Sequence, residues 1–320
     1  IPADAPVTSA QEDRSVLWDD SAGIGSRLFS RNAHATTPGC FAHPCGGLRL
    51  PVSLRAPGWS RTTEKFEMRR IMVAGNWKMN GSGPLVRSLL GEILTGVREL
   101  EHADVVVFPP FPYLPLVQSL AAGTSVAWGA QNLNPHSSGA HTGEIAASML
   151  LEFGCRFVLA GHSERRAIYG ETDEQVAMRF VAAGSAGLTA VLCVGETMDQ
   201  RNAGQTEEVI SRQLDAVFSV AGVEGFANAI VAYEPVWAIG TGLTASPDQA
   251  QAVHAFIRDK FAGLDVTIAG QLRILYGGSV NGSNAADLFA RQDIDGGLVG
   301  GASLKPEEFL AICRSANSRD

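Results

Sequence analysis

The chain lacks long apolar runs and an excess of positive charge, and each absence argues against a class of partner. The longest apolar candidate, Val105 to Val117, is interrupted by four prolines and is shorter than the roughly 20 residues of a membrane-spanning helix. Lys and Arg number 25 against 33 Asp and Glu, and the net charge is −8. The short apolar run argues against a membrane as partner. Because nucleic acid attracts basic surfaces, the negative net charge argues against nucleic acid, and we expect neither partner.

Cysteine is also sparse, whereas glycine is abundant. The five cysteines are scattered and odd in number, which argues against a disulfide framework and favours reducing conditions. We therefore predict a cytoplasmic location. Glycine accounts for 35 of 320 residues, about 11%, against an average of roughly 7%. Many of these glycines follow apolar runs, which indicates loops that bring backbone close to a ligand.

Residues 1–68 differ in composition from the rest of the chain. They are rich in Pro, Ser, Gly and Arg without sustained periodicity, so we predict a low-order extension that is disordered. Two other interpretations stay open. A targeting peptide would account for the Arg and Ser, although several acidic residues argue against it. Alternatively the segment reflects a wrongly assigned start, with Met68 as the true first residue.

In residues 69–320, apolar runs alternate with amphipathic stretches, which is typical of βα units around a parallel sheet. About eight such units in roughly 250 residues predict a (β/α)₈ barrel as the catalytic domain. The predicted strands are Met72–Asn76, Val105–Phe108, Val126–Gln131, Phe157–Ala160, Ala190–Val194, Ile230–Tyr233, Arg273–Tyr276 and Gly297–Val299. Predicted helices include Pro84–Leu100, Asp173–Gly184, Glu207–Val220, Pro247–Phe261 and Asn284–Ala290, with Asp173 and Ser283 as N-caps.

An open, doubly wound sheet is the alternative architecture. Such sheets have fewer strands and carry a glycine fingerprint after the first one. Here the first strand continues into Asn76-Trp77-Lys78, which does not form a dinucleotide-binding loop. This observation favours the closed barrel.

Polar residues follow several predicted strands, and in a barrel these strand ends meet at one face. Glu234 follows a buried strand and precedes Pro235 and a Gly/Thr-rich loop, an arrangement suited to a general base under a mobile lid. The alternative is a strand-end glutamate that faces solvent. The other strand ends contribute Asn76, Lys78, Gln131, Asn132, His162, Ser163, Glu164, Cys193, Glu196, Gly277, Gly278, Ser279, Gly300 and Gly301.

The last two strand ends predict a phosphate site. Gly277-Gly278-Ser279 and Gly300-Gly301 would let backbone N–H groups converge on an anion, although glycine pairs also make ordinary tight turns. Lys78 would supply a fixed positive charge, unless it is a solvated loop lysine. His162 opens a segment that resembles a helix start, where a neutral imidazole is favoured and can donate a hydrogen bond.

These segments together resemble the triosephosphate isomerase family. The matching motifs stand in the family's order from about Arg70 to the C-terminus. They are Ala74-Gly75-Asn76-Trp77-Lys78-Met79-Asn80, Gly143-Glu144, Gly161-His162-Ser163-Glu164-Arg165-Arg166, Cys193-Val194-Gly195-Glu196, Ala232-Tyr233-Glu234-Pro235-Val236-Trp237-Ala238-Ile239-Gly240-Thr241-Gly242, Tyr276-Gly277-Gly278-Ser279-Val280 and Leu298-Val299-Gly300-Gly301-Ala302-Ser303-Leu304. Residues before Met68 match nothing in the family.

The resemblance implies an isomerase without cofactor or metal that interconverts dihydroxyacetone phosphate and D-glyceraldehyde 3-phosphate in glycolysis and gluconeogenesis. The family is a standard example of tuned acid–base chemistry, so the following roles are carried over from it. Glu234 matches the base, His162 the neutral electrophile and Lys78 the residue that offsets negative charge. The substrate contacts carried over are Asn76, Lys78, Gly240, Ser279, Gly300 and Gly301, and the supporting residues are Glu164 and Ser163.

The resemblance also implies a lid and a homodimer. Residues 238–242 match the lid tip between a first hinge, Pro235-Val236-Trp237, and a second hinge, Leu243-Thr244-Ala245. Leu243 stands where members of the family often have Lys. The loop from Asn132 to Glu144 matches the family's dimer loop, with Thr142 near the partner's site and His141 where many members have Phe or Tyr.

Two other functions remain as alternatives. Another phosphate-binding barrel enzyme would need a metal cluster or a Schiff-base lysine at a strand end, and Lys78 is the only strand-end lysine. A silent scaffold should have lost a key residue, whereas Glu234, His162 and Lys78 are all present.

Overall fold

Eight parallel strands form a closed barrel in the computed structural model, which describes residues 69–100, 103–240 and 244–316. Each strand pairs with the next in the chain, and the eighth pairs with the first. The strands are β1 Ile71–Asn76, β2 Ala103–Phe108, β3 Val126–Ala130, β4 Phe157–Ala160, β5 Thr189–Val194, β6 Ile230–Tyr233, β7 Arg273–Tyr276 and β8 Gly296–Val299. The predicted barrel is confirmed, while the predicted extension, residues 1–68, lies outside the described residues.

The helices lie between the strands in the chain. They are α1 Gly83–Gly96, α2 Leu114–Ala121, α3 Ala147–Glu152, α4 Ser163–Tyr169, α5 Asp173–Ser185, α6 Met198–Asn202, α7 Thr206–Ala221, α8 Pro247–Ala262, α9 Val266–Gln271, α10 Ala285–Phe289 and α11 Pro306–Ala316. Short 3₁₀ turns include Val236–Ala238 and Gly301–Leu304. Within the described residues, none of the helices combines the length and apolar character that crossing a bilayer requires.

Two of the predicted N-caps are wrong. The side chain of Thr172 accepts a hydrogen bond from the Gln175 N–H and completes a capping box. The N-cap is therefore Thr172, and α5 starts at Asp173, the residue predicted as the cap. Asp173 therefore lies in the first helical turn, where its carboxylate pairs with arginines. Asn284 precedes α10, and the predicted cap Ser283 instead donates its hydroxyl to the Asn281 side chain.

The core has two layers because both faces of the sheet are covered. Alternate strand residues, such as Met72 and Phe108, fill the barrel interior. Their neighbours, such as Val73 and Val107, pack between the sheet and the helices. Strands that are buried on both faces read as continuous apolar runs, which is why the sequence shows where they lie but not which residues point inward.

A charged cluster lies where β8 meets β1 near their amino ends. The buried Asp295 accepts hydrogen bonds from Arg69 Nε at 2.8 Å, Arg258 at 2.7 Å and the Ile274 N–H at 2.9 Å. Arg258 on α8 also binds Asp293 at 2.6 Å. Since removing one partner from such a buried group leaves a charge unpaired, this cluster stabilises the seam at the end of the barrel away from the strands' carboxyl ends.

His254 on α8 is a second buried polar group. Its ring is completely buried against Tyr233 and Tyr276. Nδ1 lies 3.0 Å from the Asp293 carbonyl, an acceptor, so Nδ1 carries a proton. Burial lowers the pKa of His254 to about 4 from 6.5, although the bond to Asp293 opposes this shift.

This shift predicts an acid-dependent loss of stability. Below pH 6.5 the unfolded chain gains a proton on His254 that the folded chain excludes until about pH 4. The free energy of unfolding should therefore decrease across this window, by about 2 kcal/mol at pH 5 from this residue. Urea unfolding at pH 7.5 and pH 5 measures the change. His254→Gln keeps a donor but does not titrate, so the difference between the two pH values should be smaller; an equal difference would contradict the assignment.

Candidate active site

One cavity at the carboxyl ends of the strands, of about 320 Å³, brings most of the predicted site residues together. Those that line it are Asn76, Lys78, His162, Glu234, Gly240, Ser279, Gly300 and Gly301. Ser163 and Glu164 are absent from its wall but form hydrogen bonds with residues that line it. Thr142 is exposed on the loop after β3 and does not line the cavity.

Glu234 lies directly after β6 with its carboxylate almost completely buried. The Ser163 N–H donates to Glu234 Oε2 at 2.7 Å, and His162 Nε2 lies 3.1 Å from Oε1. The Glu234 N–H donates to the Val194 carbonyl at 2.7 Å, which holds the backbone against β5. Both carboxylate oxygens therefore have defined polar partners, which hold the Glu234 side chain in position at the mouth of the barrel.

His162 stands at the N-cap position of α4. Its Nδ1 accepts a hydrogen bond from the Glu164 N–H at 3.2 Å, so this nitrogen carries no proton. In the neutral ring the proton then sits on Nε2, the nitrogen that faces Glu234. The backbone of the helix start thus selects the tautomer that can donate into the cavity.

Lys78 has an unusual backbone. Its φ of 50° makes it the one non-glycine residue in the left-handed region among those described, a conformation that costs of order 1–3 kcal/mol. The Lys78 N–H donates to Asn76 Oδ1 at 2.9 Å, and the Gln131 amide donates to the Lys78 carbonyl at 2.9 Å. The ammonium binds Glu164 Oε1 at 2.6 Å. Gln131, which follows β3, therefore positions Lys78, a role its sequence position alone did not indicate.

The family model described as "Triosephosphate isomerase" matches residues 71–316. The chain is 59% identical over 249 residues to the triosephosphate isomerase of Thiobacillus denitrificans, an alignment covering 78% of this chain and 99% of the relative. The enzyme of that name from Dechloromonas aromatica is 60% identical over 250 residues, covering 78% and 100%. That from Nitrosomonas eutropha is 53% identical over 246 residues, covering 77% and 98%.

The chain belongs to the triosephosphate isomerase family. The matched region ends where α11 ends and begins with β1, so it coincides with the barrel. The predicted family membership is thereby confirmed.

Two glycines, Gly195 and Gly277, lack a side chain and therefore make room for Glu234. A Cβ on Gly195 would overlap the Glu234 carbonyl oxygen, and a Cβ on Gly277 would lie 2.8 Å from Glu234 Cγ. The side-chain amide of Gln213 on α7 donates to the Gly195 carbonyl at 3.1 Å and accepts from its N–H at 2.8 Å. Gly277 follows β7 and is one of the residues predicted to bind phosphate. It is therefore also needed to make room for the Glu234 carboxylate.

The chain after Glu234 is anchored by Glu196. This buried carboxylate accepts hydrogen bonds from Trp237 Nε1 at 2.9 Å and the Tyr233 hydroxyl at 3.1 Å. Arg201 pairs with it at 3.3 Å and lies over the Trp237 ring. The first predicted hinge is thus held at its base, whereas residues 241–243, including Leu243, lie outside the described residues.

Sequence reasoning missed two charged residues, Lys305 and Glu308, which also line the cavity. Both come shortly after Gly301. The signal that could have found them is this position, since only one short 3₁₀ turn separates Lys305 from the glycine pair. Within residues 69–100, 103–240 and 244–316, there is no group of three or more His, Cys, Asp or Glu side chains that could hold a metal ion.

We predict that Gly277→Ala lowers the isomerase kcat/KM by about 10²-fold, because the added methyl group pushes Glu234 from its position. Gly184→Ala is the matched control, since a Cβ there meets nothing within 4 Å. Steady-state kinetics of both variants, with circular dichroism to verify folding, measures the effect. Equal activity of the two folded variants would contradict the packing argument.

Proposed function

We propose that this cavity interconverts dihydroxyacetone phosphate and D-glyceraldehyde 3-phosphate, with Glu234 as base, His162 as electrophile and Lys78 as fixed positive charge. Membership of the family makes the chain an intramolecular aldose–ketose isomerase that acts in glycolysis and gluconeogenesis. The observation that carries the assignment of roles is the meeting of these three side chains at one cavity.

Glu234 performs the proton transfer between the two carbons. A proton on the carbon next to a carbonyl is weakly acidic, so its removal needs a base held close and correctly oriented. The carboxylate takes this proton and the C–H electron pair moves into an enediolate. His162 moves the hydroxyl proton from one enediolate oxygen to the other, and the same carboxylate returns its proton to the neighbouring carbon. The hydrogen bond from the Ser163 N–H to Oε2 holds the base in place before substrate binds.

His162 and Lys78 stabilise the negative charge that develops. Nε2–H of the neutral imidazole donates to the carbonyl oxygen as it becomes an enediolate oxygen. Lys78 adds a positive charge, and Glu164 fixes the ammonium at 2.6 Å. Because these groups are oriented before substrate arrives, little reorganisation is needed during the reaction.

Gly240, Ser279, Gly300 and Gly301 hold the phosphate, and Asn76 contacts a substrate oxygen. The three glycines carry no side chain that would keep the anion from their backbone N–H groups. Closure of the loop beyond Trp237 then excludes water, which suppresses elimination of phosphate from the enediolate.

We predict that Glu234→Asp lowers kcat/KM by on the order of 10²-fold, since one methylene fewer withdraws the base by about 1 Å. Glu234→Gln, which has no base, should lose more. Glu207→Gln on the outer helix α7 serves as the charge-matched control. A coupled assay of triose phosphate isomerisation provides the measurement, and activity near that of the unaltered protein in Glu234→Asp would remove Glu234 from this role.

We further propose that the protein is a cytoplasmic homodimer. Exposed apolar side chains gather on the units that follow β1, β3 and β4, which are near neighbours in the barrel. They include Met79 at 94% exposure, Met149, Ile168, Tyr169 and Met178. The loop from Asn132 to Glu144, with Thr142 exposed and His136 stacked on His141, follows β3 in the chain. A second copy would cover this surface.

The dimer predicts a solution mass about twice that of the 33.8 kDa chain. Thr142→Arg places a charged, bulky side chain in the loop and should shift sedimentation towards the monomer at micromolar concentration. Ser219→Arg, exposed on α7, should leave the mass unchanged. A monomeric unaltered protein, or identical masses for the two variants, would refute the proposed interface.

A further inference from the structure

Lys305 and Glu308 are charged residues in the cavity to which the family motifs assign no role. Lys305 follows the 3₁₀ turn Gly301–Leu304 and is exposed, while Glu308 is half-buried in the first turn of α11. Both line the wall that also contains Gly300 and Gly301. They follow the proposed phosphate-binding residue Gly301 by four and seven residues in the chain and line the same cavity.

The charges around the cavity are nearly balanced without substrate. The ammonium of Lys78 is already paired with Glu164 at 2.6 Å. Glu164 lies outside the cavity wall, whereas the carboxylates of Glu234 and Glu308 line the cavity itself. Neither Lys305 nor Glu308 has an ion-pair partner among the residues that the structure describes. If Lys305 were neutral, these two carboxylates would stand against a single ammonium where a phosphate dianion has to bind.

We propose that Lys305 is a specificity-determining residue that offsets Glu308 and attracts the phosphate dianion to the cavity. This inference rests on the proposed function, since it assigns a further residue to the same site. Lys305 acts on capture of the substrate and not on proton transfer, because it is exposed and follows the proposed phosphate-binding glycines in the chain. On a chain of net charge −8, a local cation at the cavity entrance is what an anionic substrate needs.

The reciprocal pair Lys305→Gln and Glu308→Gln tests the proposal. At an ionic strength of about 20 mM, Lys305→Gln should lower kcat/KM about fivefold, mainly through KM, with kcat within twofold of the unaltered protein. Glu308→Gln should change kcat/KM in the opposite direction. Both effects should shrink at about 300 mM, because charges are screened over a shorter distance at higher salt. Lys260→Gln on α8, which removes the same charge far from the cavity, should have no effect.

Two results would overturn the proposal. One is an unchanged kcat/KM for Lys305→Gln at low salt. The other is a loss that appears in kcat and does not depend on salt, because that pattern indicates a structural effect.

Calorimetric titration with inorganic phosphate separates this inference from the proposed function. If the unaltered protein lacks isomerase activity, the proposed function fails, but weaker phosphate binding by Lys305→Gln would still support the local role of Lys305. Equal phosphate affinity in the two proteins would refute it.

Discussion

The seam between β1 and β8 is the constraint on which the site depends. Met72 pairs with Gly296 and Gly75 with Val299, so the first and last strands run side by side although 219 residues lie between them in the chain. A Cβ at Gly296 would overlap the Met72 carbonyl oxygen, and the backbone there has a φ of 131°, so only glycine allows this approach. Closure brings the cation after β1 next to the glycine pair after β8, where Gly300 passes close to the Lys78 side chain.

Polar groups have different roles at the two rims of the barrel. At the amino ends of the strands, Asp295 joins Arg69 and Arg258 in a cluster whose partners are satisfied within the protein. At the carboxyl ends, Lys78, His162 and Glu234 line a cavity, and each also has a polar partner in the protein. The strained Lys78 backbone belongs to this second rim. The hydrogen bonds that its N–H donates to Asn76 and its carbonyl accepts from Gln131 offset the cost. The ionic cluster and the proposed catalytic residues thus lie at opposite ends of the barrel.

Much of the architecture was predictable because the signals were local. The β4, β6 and β7 boundaries were predicted to the residue, since each is an apolar run bounded by turn residues. The α5 cap was placed wrongly because Thr172 and Asp173 are both good cap residues, and only the reciprocal bond with Gln175 distinguishes them. The end of α1 at Gly96 was missed because its periodicity continues into a 3₁₀ turn.

The sequence by itself determined the order of strands and helices, the family, and the residue types that follow each strand, because these depend on local pattern and motif. Tertiary structure alone decided which of those residues meet. The His162 tautomer depends on a helix start, the Lys78 geometry on Gln131 from another strand, and the cavity charge on Lys305, which no motif singles out. The physical reason is that each of these contacts joins groups brought together by folding, and neither their distance nor their orientation is encoded in local spacing.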